Sequence, residues 1–85
     1  MNWGLILSNQ ASRTIRRAPR NDQDQIRAAL RLLSGNPYAG DIKLLKGTNG
    51  TFRRRVGNWR VLFELHPDRS VLVVTGIKRR GSNTY

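Results

Sequence analysis

The sequence contains no cysteine, which excludes disulfides and thiolate metal sites. A single histidine leaves few other metal ligands, so neither a metal site nor a cofactor is expected. Long apolar runs are also missing. No segment approaches the roughly 18 apolar residues that a membrane span needs, and no membrane partner is expected. Met1 to Leu7 has neither a basic leader nor an apolar stretch of signal-peptide length, so a cytoplasmic protein is expected. Acidic residues are scarce as well: five Asp plus Glu stand against sixteen Lys plus Arg, a formal net charge of +11. Such an excess repels itself and favours a polyanionic partner, nucleic acid ahead of an acidic protein.

What is present fits one small domain spanning residues 1–85. Trp3, Leu5 and Leu7 alternate as in a short strand. Ser8 or Asn9 can cap a helix whose inner face carries Ala11, Thr14, Ile15 and Ala18. Pro19 ends that helix, and Asn21 or Asp22 can cap a second. Ile26, Ala29, Leu30 and Leu33 form its i, i+3, i+4, i+7 stripe, with Gly35 as C-cap and Pro37 beyond. A brief apolar stretch from Ile42 to Leu45 precedes a turn-rich segment. Thr51–Val56 and Trp59–His66 then read as strands joined by a primed turn at Gly57-Asn58. "VLVVTGIK" supplies a further, well-covered strand. The fold class is α+β, in the order β-α-α-β-β-β, with an antiparallel-type sheet packed on an N-terminal helical hairpin.

A two-residue turn at Gly57-Asn58 pairs Val56 with Trp59 and Arg55 with Arg60. Alternation then places Phe52, Val56, Trp59, Val61, Phe63 and Leu65 on the helix-packed face. Arg53, Arg55, Arg60, Leu62 and Glu64 fall on the other. Clustered guanidinium groups on a ladder repel by roughly 0.2–1 kcal/mol per opposed pair. Planar Arg forks suit phosphate, so these three residues read as an anion site. Arg54 falls among apolar residues, where its stem covers core and its head reaches water. His66 precedes Pro67 in a turn away from the Arg face. Asp22, Asp24, Asp41 and Asp68 lie in caps and turns and form no carboxylate pair.

Four stretches in this order, "LSNQASRTIRRAP", "NPYAGDIKLLKG", "FRRRVGNWRVLFEL" and "IKRRGSNTY", resemble toxins of the RelE/ParE superfamily of type II toxin–antitoxin systems. The most specific piece is the pattern from Phe52 to Val61. Arg79 and Tyr85 resemble the closing residues of the RelE-like mRNA interferase branch. The resemblance implies a RelE-like microbial ribonuclease fold and a toxin that inhibits translation. It implies mRNA cleavage, ribosome-dependent and at the A site, by 2′-OH attack on the adjacent phosphate. Arg53, Arg55, Arg60, Arg79 and Tyr85 are its catalytic candidates, with Arg60 and Arg79 clamping the phosphate and Tyr85 as base or stacking group. Lys46, Arg54, Lys78 and Arg80 are its further RNA contacts. Arg53 and Arg55 stand where such ribonucleases commonly carry Lys; an Arg stays protonated in nearly any site, so neither serves as a base. The implied partner is a cognate acidic antitoxin, in a toxin–antitoxin heterotetramer. The alternative implied function is ParE-like inhibition of DNA gyrase without nuclease activity.

Overall fold

The computed structural model describes residues 3–40, 42–48 and 50–79. Strand β1 (Gly4–Leu7) leads into helices α1 (Asn9–Arg17) and α2 (Arg20–Gly35). Four strands follow: β2 (Ile42–Leu44), β3 (Thr51–Val56), β4 (Trp59–His66) and β5 (Val71–Arg79). They form one sheet in the order β1-β5-β4-β3-β2. Among the described residues, no helix is long and apolar enough to cross a membrane.

The α+β class and the helical hairpin are as expected, but the sheet differs in two ways. It is mixed, because β1 pairs parallel to β5, from Gly4↔Val71 to Leu7↔Val74. Period-two alternation marks a strand and is silent on the direction of its partner. It also has a fifth strand: the apolar stretch after α2 forms β2, antiparallel to β3 through Ile42↔Arg54, Lys43↔Arg53 and Leu44↔Phe52.

Ser8 fastens the helices to the sheet. Its Oγ accepts from Ala11 N at 3.1 Å, capping α1, and donates to Thr75 O at 2.9 Å. Gln10 continues β1's work further along β5, accepting from Ile77 N at 2.9 Å and donating to Ile77 O at 3.2 Å. Helix α2 begins one residue before the expected caps: Pro19 holds the N-cap position without a side-chain bond, its fixed φ suiting a helix start. The α2 stripe of Ile26, Ala29, Leu30 and Leu33 is buried with Ala11 and Ile15 of α1 against Val56, Trp59, Val61 and Phe63. Both helices therefore cover one face of the sheet.

Candidate nucleic-acid interface

The tight turn fixes the opposite face. Gly57 has φ 56, while Asn58 keeps a negative φ, the pattern of a type II′ hairpin. Register follows as Val56↔Trp59, Arg55↔Arg60 and Arg53↔Leu62. Because opposed residues share a face, Arg53, Arg55 and Arg60 emerge together, away from the helices. A cleft of about 300 Å³ opens there, lined by Lys43, Leu44, Leu45, Lys46, Arg53, Arg55 and Arg60. Five of these seven side chains are cationic and none is acidic. Arg60 is half-buried and Arg55 exposed, whereas Arg53 is only 7% exposed. The cleft thus grades from a wet rim to a sheltered floor, where charge–charge interactions are strengthened by the lower dielectric.

Lys43 went unremarked in the sequence. The register Lys43↔Arg53 carries it onto this face, and the alternation Ile42-Lys43-Leu44 is the signal that could have found it. Lys46 lies in the cleft wall. Lys78 is paired with Arg60 across β4–β5, so the row Arg55, Arg60, Lys78 spans three strands.

Two sequence candidates stand elsewhere. Arg54 shares a face with Ile42 and Val61, its partners on β2 and β4, and its Nη1 donates to Ala39 O at 3.0 Å. It clamps the 36–40 loop rather than joining the cleft. Arg79 pairs with Trp59, and its Cζ lies 5.5 Å from the centroid of that ring, an Arg–aromatic stack on the helix side. His66 is six residues along β4 from Arg60, about 20 Å at strand rise. Arg80 and Tyr85 lie outside the described residues.

Chemically, the cleft can bind and polarise a phosphodiester. The paired forks of Arg55 and Arg60 can hold non-bridging oxygens, Arg53 can face the charge from below, and the lysines alone among the cationic side chains can readily give up a proton.

Residues 5–83 match the family described as ParE toxin of the type II toxin–antitoxin system, parDE. The chain belongs to this ParE toxin family. The toxin's fold is shared with solved members of the superfamily. The archaeal RelE of Pyrococcus horikoshii OT3, solved with RelB, superposes with a TM-score of 0.81 at 21% identity, over 95% of this chain and 98% of that one. The toxin–antitoxin complex RelBE2 of Mycobacterium tuberculosis gives 0.84 at 20% identity, over 96% and 95%. The YoeB dimer of Staphylococcus aureus gives 0.74 at 16% identity, over 94% and 99%. No curated relative matches the sequence significantly. The toxin is thus one of a type II toxin–antitoxin system with a RelE/ParE fold.

Proposed function

We propose that the toxin is an endoribonuclease that cuts mRNA and so arrests translation. The observation that carries this reading is the convergence of Arg53, Arg55 and Arg60 with Lys43 and Lys46 on one cleft. In the proposed reaction the substrate's 2′-oxygen attacks the adjacent phosphorus and the 5′-oxygen leaves. The products are a 2′,3′-cyclic phosphate and a 5′-hydroxyl end. Arg55 and Arg60 bind the non-bridging oxygens, and their fixed positions on a ladder hold the phosphate for in-line attack. Arg53 stabilises the extra charge of the phosphorane from the sheltered floor. A lysine of the wall, Lys43 or Lys46, protonates the leaving oxygen. Tyr85 is kept as base or stacking group on the family resemblance alone, and Arg79, engaged with Trp59, is given no role at the phosphorus.

The names RelE and YoeB among the structural neighbours support this reading. RelB partners in the Pyrococcus and Mycobacterium structures support an antitoxin partner for this toxin; its acidic character, a heterotetrameric assembly and a cytoplasmic location are part of the proposal. The ribosome is the proposed place of action, where the A site would present a single-stranded codon. The second reading is inhibition of DNA gyrase, favoured by the match to the ParE family in particular. Induced expression separates them. New mRNA ends carrying 5′-hydroxyls, absent with Arg60→Ala, are the expected result. Intact mRNA together with blocked supercoiling by purified gyrase would transfer the assignment to the second reading.

A further inference from the structure

Beside the arginine cleft lies a second hollow of different chemistry. Its volume is about 550 Å³ and it is lined by Leu45, Lys46, Thr48, Thr51, Leu62 and Thr75. It shares Leu45 and Lys46 with the cleft, so the two are neighbours. The cleft is mainly cationic; the hollow offers two leucines and three hydroxyls, with the shared Lys46 at the junction where the phosphate chain would pass. A nucleotide has the same two-part character, a charged phosphate and a flat, weakly polar base one ribose away. We infer that the hollow is a nucleobase subsite of the toxin's RNA site, selective for bases that carry an exocyclic amino group. The inference rests on the ribonuclease reading above.

The selectivity follows from where the hydroxyl protons go. Thr75 Oγ1 donates to Leu62 O at 3.3 Å, and Thr48 Oγ1 donates to Leu45 O at 2.7 Å. Thr48 Oγ1 also accepts from Thr51 N at 3.3 Å. With their protons directed to the backbone, these oxygens can offer only lone pairs to a guest. Lone pairs match the amino group of adenine, cytosine or guanine and oppose the carbonyl edge of uracil. Thr75 is the chief reader, because Thr48 already accepts one bond. Thr75 sits at an irregularity of the β4–β5 ladder, where Leu62 pairs with Gly76 but Phe63 with Val74; such bulges re-aim side chains next to sites. The leucines supply an aliphatic surface for the face of the base, and none of the six lining residues is aromatic.

The test measures binding of the full chain to 2′-O-methylated pentamers of cytosine and of uracil, which cannot be cut by 2′-oxygen attack. The wild type is expected to bind oligo-C about fivefold more tightly than oligo-U, the worth of one good hydrogen bond. Thr75→Val should bring the ratio close to one, chiefly by weakening oligo-C, and Thr75→Ser should keep the preference. Thr75→Ala serves if the valine variant does not fold. Equal binding of the two pentamers by the wild type, or a preference that survives both Thr75→Val and Thr75→Ala, overturns the subsite. Arg60→Ala should weaken both pentamers equally. If it weakens neither, the phosphate reading of the cleft fails, whatever the base ratio shows.

Discussion

Arg55 and Arg60 stand directly opposite each other across the β3–β4 ladder, one pair in from the Gly57-Asn58 turn. Two guanidinium groups so placed repel, and the turn leaves the strands no freedom to slip apart. Replacing either is therefore expected to help the isolated fold and harm its function. Arg55→Thr should raise stability by about 0.2–1 kcal/mol at low salt, a shift of roughly 1–8 °C in Tm, shrinking as salt screens the pair. The same variant should lose growth arrest on induction. A Tm that falls while toxicity persists would show the pair to be a structural device.

Binding of single-stranded RNA should weaken with salt by about 0.7 log units per log unit for each phosphate neutralised. Arg60→Ala is expected to lower that slope by about one such step, and Arg79→Ala, on the other face over Trp59, to leave it nearly unchanged. Titrations at three salt concentrations would decide between them.

Lys43 tests the division of labour between lysine and arginine within the cleft. Lys43→Arg should keep RNA affinity within about twofold, because the charge remains, while slowing cleavage if this lysine carries the proton. Lys43→Ala should reduce both. Equal cleavage by the wild type and the arginine variant would pass the proton to Lys46.

Ser8 joins α1 to β5 through two bonds of one hydroxyl. Ser8→Ala is expected to cost about 1–2 kcal/mol, read by urea denaturation, with no change in the salt slope of RNA binding.

Gly40 has φ 95, and a Cβ there would run into the Arg54 guanidinium. Gly40→Ala should cost about 1–3 kcal/mol. In a double-mutant cycle with Arg54→Ala the two losses should fall short of additive, since removing the guanidinium frees the space but leaves the backbone strain. Full additivity would mean that Arg54 does not press on this loop.

The hairpin register and the α2 stripe were legible because both rest on short-range periodicity: a two-residue turn fixes parity, and four apolar residues at helical spacing fix a face. The parallel seating of β1 was not, being decided by long-range docking through Ser8 and Gln10. Lys43 was hidden by the brevity of its strand, since three residues barely constitute an alternation. Arg79 was assigned from the family resemblance, and its position over Trp59 could not be counted along the strand. Counting outward from buried Leu72 and Val74 by twos puts Gly76 and Lys78 on the helix side and Arg79 on the cleft side. The extra residue at Thr75 inverts that count, so Ile77 goes to the core at 1% exposure, Lys78 to the row of Arg60 and Arg79 to Trp59. Nothing local in "VVTGIKRR" announces the inversion.

That single supernumerary residue works like a change of reading frame along the last strand. Excising Thr75 would remove the kink yet leave Ile77, Lys78 and Arg79 with their present partners, whereas straightening the ladder with Thr75 kept would bring Ile77 opposite Arg60 and turn it out into water. Such straightening would take the cation from beside Arg60 and expose a core isoleucine, a loss to the cleft and to the fold alike. The kink is thus kept in place by hydrophobic packing, and the cation set beside Arg60 follows as its by-product.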